Sequence, residues 1–172
     1  HAQTPAEELA RWRADIAALH LPFTVEDNWV VQLPPAERLR LYGARIPTSA
    51  EGLPIWPSQA KRDLPAAWDW RDVNGGSYVS GVRNQAVCGS CWLFAAMGAF
   101  ESQFMITTDR PGTDFDRAEQ YVLSCNDQGN GCGGGWIDIA LEFLRLAGAP
   151  PEACFPYQSS DVVPCSQACP NP

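Results

Sequence analysis

The spacing of apolar residues predicts two helices before residue 44. An amphipathic helix is predicted over 6–19, where four apolar residues recur at helical intervals: Leu9, Trp12, Ile16 and Leu19. A short second helix is predicted over 34–43, because proline lies near its start and glycine stands at its end. Between them, the run FTVEDNWVV predicts a strand over 23–31.

The stretch 43–65 has no hydrophobic periodicity and is rich in proline, serine and glycine, which predicts an extended connector. The connector ends near Lys61-Arg62, an exposed dibasic pair that suits proteolytic cleavage as well as it suits a solvated linker. We therefore expect a domain boundary near residue 62, with one segment at 1–62 and a denser domain at 63–172.

The second part of the chain predicts a buried helix followed by two shorter ones. Residues 91–106 are apolar on nearly every side, which is typical of a helix surrounded by its own domain. Further helices are predicted over 115–124 and 136–147, and Gly148 is expected to end the latter. A chain of 172 residues is long enough for one such core with a smaller appendage.

The charge of −8 is unevenly distributed. Residues 1–62 contain seven basic and seven acidic side chains, whereas residues 63–172 contain five basic and thirteen acidic ones. An acidic domain argues against nucleic acid and anionic membranes as partners. No apolar run reaches the roughly 20 residues that a membrane-spanning helix needs. We expect an acidic, solvated surface.

The chain has seven cysteines, all of them after residue 87: Cys88, Cys91, Cys125, Cys132, Cys154, Cys165 and Cys169. Such a load favours disulfides in an oxidising compartment. Two short cysteine spacings are compatible with a zinc site, but no histidine accompanies them. We expect no metal site and no cofactor. An odd number of cysteines leaves one thiol unpaired.

Cys91 is the most informative of these residues, because it opens the predicted apolar helix directly after Ser90, a good N-cap. The partial positive charge of a helix start favours a thiolate, the nucleophile of covalent acyl transfer. The Gln85 side-chain amide and the Cys91 backbone N–H could together hold an oxyanion. The alternative is that Cys91 is a small core residue.

The string NQAVCGSCW, which begins at Asn84, resembles the active-site segment of papain-family cysteine proteases. The likeness extends over 64–169, and the segments LPAAWDWRDVNGGSYVSGVRNQAVCGSC and EACFPYQSSDVVPCSQAC are especially similar to the cathepsin C branch. Residues 1–62 resemble a short propeptide more loosely. The resemblance implies an α+β fold with an active site between a helical half and a β half, of which 63–172 would form only the helical one.

The family resemblance also implies roles for individual residues. Cys91 would be the nucleophile and Gln85 the oxyanion donor. The substrate-binding positions would be Gly89 beside the cleft, Gly134 and Gly135 along the non-primed subsites, and Trp136 and Ile137 at the pocket for the second residue before the scissile bond. By the same analogy the disulfides would be Cys88–Cys132, Cys125–Cys165 and Cys154–Cys169, which leaves Cys91 free.

The base that would activate the thiol is missing from the sequence. The only histidines, His1 and His20, precede the connector, whereas the family's catalytic histidine and asparagine follow the cysteine. We expect both on a second chain that carries the β half, or on residues removed from this one. A natural truncation without activity is the alternative.

These observations predict a secreted, lysosome-like or periplasmic cysteine protease that acts on peptide or protein substrates, either as a zymogen or as one chain of a nicked enzyme. The connector that begins YGARIPTSAEGLPIWP at Tyr42 would cross the cleft in the direction opposite to a substrate and block it. Two alternatives remain: a cathepsin C-like dipeptidyl peptidase, whose exclusion domain residues 1–62 do not resemble, and a non-catalytic inhibitory or binding fragment.

Overall fold

The computed structural model describes residues 3–45 and 65–170, so the predicted boundary near residue 62 lies outside the described residues. The chain divides into two compact units, His1–Tyr42 and Gly43–Pro172. In chain order, the helices are α1 (Pro5–Ala18), α2 (Trp29–Gln32), α3 (Pro35–Arg40), α4 (Cys91–Thr108), α5 (Glu119–Cys125) and α6 (Ile137–Ala147), followed by single 3-10 turns at Glu152–Cys154 and Cys165–Gln167.

In the first unit, α1 begins where the sequence pattern predicts it. Thr4 caps the helix, because its hydroxyl accepts the Glu7 N–H while the Glu7 carboxylate accepts the Thr4 N–H, which satisfies two otherwise unpaired donors. Arg38 of α3 forms an ion pair with Glu8 and lies over the Trp12 ring. These contacts hold α3 against α1.

The predicted strand over 23–31 is wrong. Residues 22–28 are irregular, and α2 follows them directly. The cause is Asn28, whose side-chain oxygen accepts the N–H groups of both Val30 and Val31 and so caps a helix at the point where a strand would continue. The short helix predicted over 34–43 is present as α3.

The core of the second unit forms where α4 packs against α5 and α6. As predicted, α4 is buried on most sides, and Trp92, Leu93, Ala96 and Met97 are all almost completely covered. Val122 of α5 and Leu144 of α6 complete the cluster. Strand-like pairing in the described ranges is confined to isolated bridges. This architecture agrees with the helical half that the resemblance predicts.

The helix predicted over 115–124 begins later than expected. Residues 116–118 pair instead with the segment around Pro151: the Ala118 N–H donates to the Pro150 carbonyl at 2.9 Å, and the Glu152 N–H donates to the Asp116 carbonyl at 3.0 Å. This pairing delays α5 to Glu119. The helix α6 ends as predicted at Gly148, whose positive φ of 71° suits glycine.

Three disulfides close the second unit: Cys88–Cys132, Cys125–Cys165 and Cys154–Cys169. They are the same pairs that the family resemblance implies. All seven cysteines fall in the described ranges, and Cys91 alone is unpaired. Among the described residues, no helix combines the length and the apolar character that a bilayer crossing requires.

A cluster of carboxylates is buried beside α4 and α5. Glu101 is 3 % exposed and Glu119 is 4 % exposed, with Asp116 and Glu152 nearby. Burial raises the pKa of Glu101, and it raises the pKa of Glu119 from 4.5 to about 7, with a further contribution from the charge of Glu152. The folded chain therefore holds protons that the unfolded chain releases near pH 4.5.

This cluster predicts that stability falls as the pH rises. Because the folded-state pKa of Glu119 lies above the unfolded value, the folded state binds the proton more tightly, and that contribution is lost between pH 4.5 and about 7. Glu119→Gln should therefore reduce the fall in the free energy of unfolding between pH 4 and pH 7 by up to about 3 kcal/mol. Urea unfolding at the two pH values measures this fall.

The control is Glu142→Gln, since Glu142 is exposed and its bond to Arg145 lowers its pKa. This variant should keep the wild-type fall in stability between the two pH values. Equal pH dependence in wild type and Glu119→Gln would contradict the prediction.

Candidate functional site

Cys91 is the first residue of α4, and its side chain is partly exposed. Ser90 precedes it at the N-cap position, but the predicted side-chain cap is absent. The Ser90 hydroxyl instead shares a 2.7 Å hydrogen bond with the Tyr157 hydroxyl. The first N–H groups of α4 are therefore not capped by Ser90, so the helix start keeps its positive potential near the thiol.

The loop before Cys91 is held by its own side chains and by the segment around Tyr157. The Gln85 side-chain amide donates to the Cys88 carbonyl at 2.8 Å. The Gln85 carbonyl accepts the Tyr157 hydroxyl at 3.0 Å and the Ser159 hydroxyl at 3.3 Å. Burial raises the pKa of Tyr157, so its hydroxyl remains a donor at neutral pH. These bonds orient the loop on which both predicted catalytic residues lie.

A disulfide ties this loop to the glycine-rich segment 131–135. Besides the Cys88–Cys132 bond, the Gly89 N–H donates to the Cys132 carbonyl at 3.0 Å. The Cys132 N–H in turn donates to the Asp161 carboxylate at 2.6 Å. The covalent bond and the hydrogen bonds thus keep the cysteine loop and the glycines in register.

The glycine-rich segment makes a tight turn and then passes over Trp92. Gly131 and Gly134 exchange two backbone hydrogen bonds. A Cβ at Gly135 would lie 2.6 Å from the Trp92 ring, so no larger residue fits there. The Trp92 indole N–H donates to the Gly131 carbonyl at 3.2 Å. The predicted substrate residues Trp136 and Ile137 follow at once, at the start of α6, and Ile137 is exposed.

Residues 43–45 cross this site as an extended segment. The Gly43 N–H donates to the Cys91 Sγ at 3.2 Å. Ala44 pairs in parallel with Gly135: the Gly135 N–H donates to the Gly43 carbonyl and the Arg45 N–H donates to the Gly135 carbonyl, both at 2.8 Å. This segment therefore brings Cys91, Gly89 and the glycine-rich segment together around one extended backbone.

Gly43 belongs to the predicted crossing segment, but its close contacts with Cys91 and Gly89 were not predicted. A Cβ at this position would lie 1.5 Å from the Gly89 carbonyl oxygen, so only glycine permits so close an approach. Tyr157 and Ser159 were not predicted as site residues. The sequence carries no signal for these contacts, because each joins positions more than 40 residues apart.

A polar cavity of about 440 Å³ adjoins the glycine-rich segment. Arg45, Asn130 and Asp161 lie in its wall. The Asn130 side chain is 7 % exposed, and neither its amide nitrogen nor its amide oxygen has a hydrogen-bond partner. The site therefore has room for a polar side chain beside the segment that pairs with the Gly135 backbone.

The described residues contain no group of three or more histidine, cysteine or acidic side chains that could hold a metal ion. The reactive group at the site is the free thiol. It lies at the N-terminus of α4, and the Gly43 backbone N–H donates to it. This arrangement suits thiol chemistry on an extended peptide.

Comparison with known proteins was made on sequence and on structure. The sequence model of the papain family cysteine protease matches residues 64–171. Chicken (Gallus gallus) cathepsin K is 35% identical over 147 residues, which cover 81% of this chain and 41% of that protein. A viral cathepsin of Heliothis zea nuclear polyhedrosis virus is 42% identical over 99 residues, which cover 57% of this chain and 25% of that protein.

Among solved structures, digestive procathepsin L2 proteinase from the larval midgut of Tenebrio molitor matches with a TM-score of 0.77 and 28% identity. The match covers 95% of this chain and 54% of that one. The chain thus spans between a quarter and about half of the length of these relatives.

The close approach of Gly43 predicts a measurable change in thiol reactivity. Gly43→Ala should displace residues 43–45, because the new methyl group would overlap the Gly89 carbonyl oxygen. Alkylation of Cys91 by iodoacetamide should then accelerate by about tenfold or more, the effect of a clash of roughly 1.4 kcal/mol on the covered state. The rate is measured by mass spectrometry, and the other six cysteines do not interfere because they are in disulfides.

Gly133→Ala is the matched control, since a Cβ there would meet no atom within 4 Å. It should react at the wild-type rate. If Gly43→Ala also reacts at that rate, residues 43–45 do not cover the thiol.

Proposed function

The chain belongs to the papain family of cysteine proteases, and we propose that it carries the nucleophile of a peptidase held latent by its own residues 43–45. The observation that supports this most strongly is the free Cys91 thiol at the start of α4, with an extended segment laid across it and along Gly135. Peptide bonds in peptide or protein substrates would be hydrolysed.

The chemistry follows from the position of the thiol. A Cys91 thiolate attacks the scissile carbonyl, an S–C bond forms, and the C–N bond breaks as the leaving amine takes a proton from a general acid. Water then hydrolyses the thioester and returns the free thiol.

The oxyanion of the tetrahedral intermediate needs donors beside the thiol. We assign this role to the Cys91 backbone N–H and the Gln85 side-chain amide. The Gln85 side-chain amide is anchored by its bond to the Cys88 carbonyl, and the Gln85 backbone carbonyl accepts two hydroxyl groups. Such anchoring preorganises a donor, and loss of one donor of this kind typically lowers kcat by about 10²–10³.

The proposed latency rests on the occupation of the Gly135 backbone groups by residues 43–45. Residues 43–45 use both its N–H and its carbonyl, the groups with which a substrate strand would pair. Their parallel direction places the carbonyl groups out of line for attack by the thiol. The segment therefore occupies the substrate track without being a substrate. The rest of the predicted crossing segment, from residue 46 on, lies outside the described residues.

The catalytic histidine and asparagine would come from outside these 172 residues, and we propose a polypeptide that carries the β half of the fold. Both histidines of this chain precede the connector. The second unit also exposes large apolar side chains, among them Val82 at 101 % and Trp68 at 59 %. Apolar surface of this kind suits a protein partner.

The compartment follows from the disulfides. Three disulfides in one unit suit an oxidising environment. We propose that the protein acts after secretion, or in a lysosome-like or periplasmic space.

A dipeptidyl peptidase is a second candidate, favoured by the Cys154–Cys169 disulfide, which the sequence resemblance associates with the cathepsin C branch. A dipeptidyl peptidase requires a closed end of the cleft and a free substrate N-terminus. Residues 43–45 instead pair with Gly135 through the bridge at Ala44, which favours a cleft that is open at both ends and endopeptidase activity.

The nucleophile is tested by labelling with a thiol-directed epoxide inhibitor. Labelling should occur at Cys91 alone, and Cys91→Ser should abolish it. In the enzyme assembled with the histidine-bearing polypeptide, the same substitution should lower peptide hydrolysis by at least about 10³-fold. Cys91→Ser with full hydrolytic activity would exclude the proposed mechanism.

Latency and specificity are tested together on the assembled enzyme. Removal of residues 1–62 should increase cleavage of an internally quenched peptide with a blocked N-terminus, because the Gly135 backbone becomes available. Unchanged cleavage would end the proposal of latency. Cleavage restricted to peptides with a free N-terminus would instead support the dipeptidyl peptidase.

A further inference from the structure

The order of contacts along the crossing segment indicates which substrate residue adjoins the polar cavity beside the glycine-rich segment. Gly43 donates its backbone N–H to the Cys91 thiol. Ala44 pairs with Gly135, and Arg45 then lies in the wall of the cavity, which has a volume of about 440 Å³. A substrate on the same track would run in the opposite direction, so the third residue before its scissile bond would lie beside this cavity.

The cavity keeps a negative charge when the crossing segment leaves. Arg45 and Asp161 are the charged side chains among the described residues that line it, and Arg45 leaves with the segment. Asp161 is held in place, because one of its carboxylate oxygens accepts the Cys132 N–H at 2.6 Å. A Cβ on Gly131 would lie 2.3 Å from that oxygen, so only glycine leaves room for the carboxylate. Such a fixed charge repels acidic side chains and attracts basic ones.

The same wall contains two amide side chains with unsatisfied oxygen atoms. Asn130 is 7 % exposed, and neither end of its amide has a hydrogen-bond partner among the described residues. The Asn126 amide nitrogen donates to the Val122 carbonyl at 2.8 Å, so its other end is the oxygen. That oxygen is also buried, and no described residue donates to it. Buried acceptors of this kind are costly unless a donor reaches them.

These groups indicate which side chain fits the cavity. Guanidinium and ammonium groups donate hydrogen bonds and accept none, which suits two amide oxygens and a carboxylate. Leu123 is the one apolar side chain among the described residues of the wall, so a large aliphatic side chain would find little to pack against. Arginine and lysine therefore match the cavity better than acidic or aliphatic residues do.

We propose that this cavity binds an arginine or lysine side chain at the third residue before the scissile bond, so that the peptidase selects substrates with a basic residue there. The inference rests on the proposed function, because a substrate must replace residues 43–45 along Gly135. The cationic end would donate to Asp161 and to the amide oxygens of Asn126 and Asn130. These three side chains would then determine specificity without taking part in the chemistry.

The preference is tested on the full chain with three peptidyl epoxides that label Cys91 and differ only at this third position. They carry arginine, citrulline, which has nearly the same shape without the charge, or norleucine, which has no polar end. The arginine probe should label about fivefold faster than the citrulline probe, the gain expected of an exposed charge pair, and the norleucine probe should be slowest. Ratios of these rates are informative because all three probes must displace the same residues 43–45.

Asp161→Asn tests the source of the preference, because it removes the charge and keeps an oxygen for the Cys132 N–H. The ratio of the arginine rate to the citrulline rate should fall to about one. Asp127→Asn is the matched control, since Asp127 is an exposed carboxylate that lines a different cavity, and it should keep the wild-type ratio. An equal fall in both variants would mean a general negative potential and would overturn the role of Asp161.

Two results with the wild-type chain would overturn the proposal directly. They are equal labelling rates with the arginine and citrulline probes, and fastest labelling with the norleucine probe. Because Cys91 is labelled in both cases, the proposed nucleophile would stand while the preference fails. If none of the three probes labels Cys91, the proposed function fails and the preference fails with it.

Discussion

The disulfide between Cys88 and Cys132 joins the two backbone segments on which the site is built. One segment ends at the thiol of Cys91, and the other provides the Gly135 backbone beside it. The hydrogen bond from the Gly89 N–H to the Cys132 carbonyl joins the same two segments and fixes their register relative to each other. Without this link, a helix N-terminus and a glycine turn would be separate surface features; with it, they form one track that accepts an extended backbone.

Two further groups of contacts depend on that arrangement. Residues 43–45 reach the thiol because Gly43 lacks a side chain, since a Cβ there would lie 1.5 Å from the Gly89 carbonyl oxygen. On the other side of the loop, Tyr157 joins the Gln85 carbonyl to the Ser90 hydroxyl. The Tyr157 N–H also donates to the Glu152 carboxylate, one of the acidic side chains beside α4 and α5. The cysteine loop and these carboxylates thus share one tyrosine.

Much of the helical architecture could be predicted from the sequence, because long apolar periodicities and end residues such as Gly148 act locally. The helix α4 is an example, whereas the unpaired state of Cys91 was implied only by the family resemblance. The prediction of a strand over 23–31 was wrong because the Asn28 side chain caps a helix there. The helix α5 begins later than predicted because residues 116–118 pair with residues 150–152.

The site was only partly predictable for a similar reason. A nine-residue string located Cys91 and Gln85, but the approach of Gly43 to Gly89 depends on packing between segments 46 residues apart. The buried carboxylates were not predicted either, because on the sequence alone they look like a solvated acidic surface.

The central claim is that residues 43–45 occupy the backbone positions a substrate would use along Gly135. Hydrogen exchange at the Arg45 and Gly135 amides, before and after an epoxide inhibitor caps Cys91, tests it most directly. We predict that both amides are protected before modification, and that Arg45 alone loses protection afterwards, because the inhibitor replaces the segment on Gly135. An Arg45 amide that stays protected while Cys91 is fully modified would contradict the account.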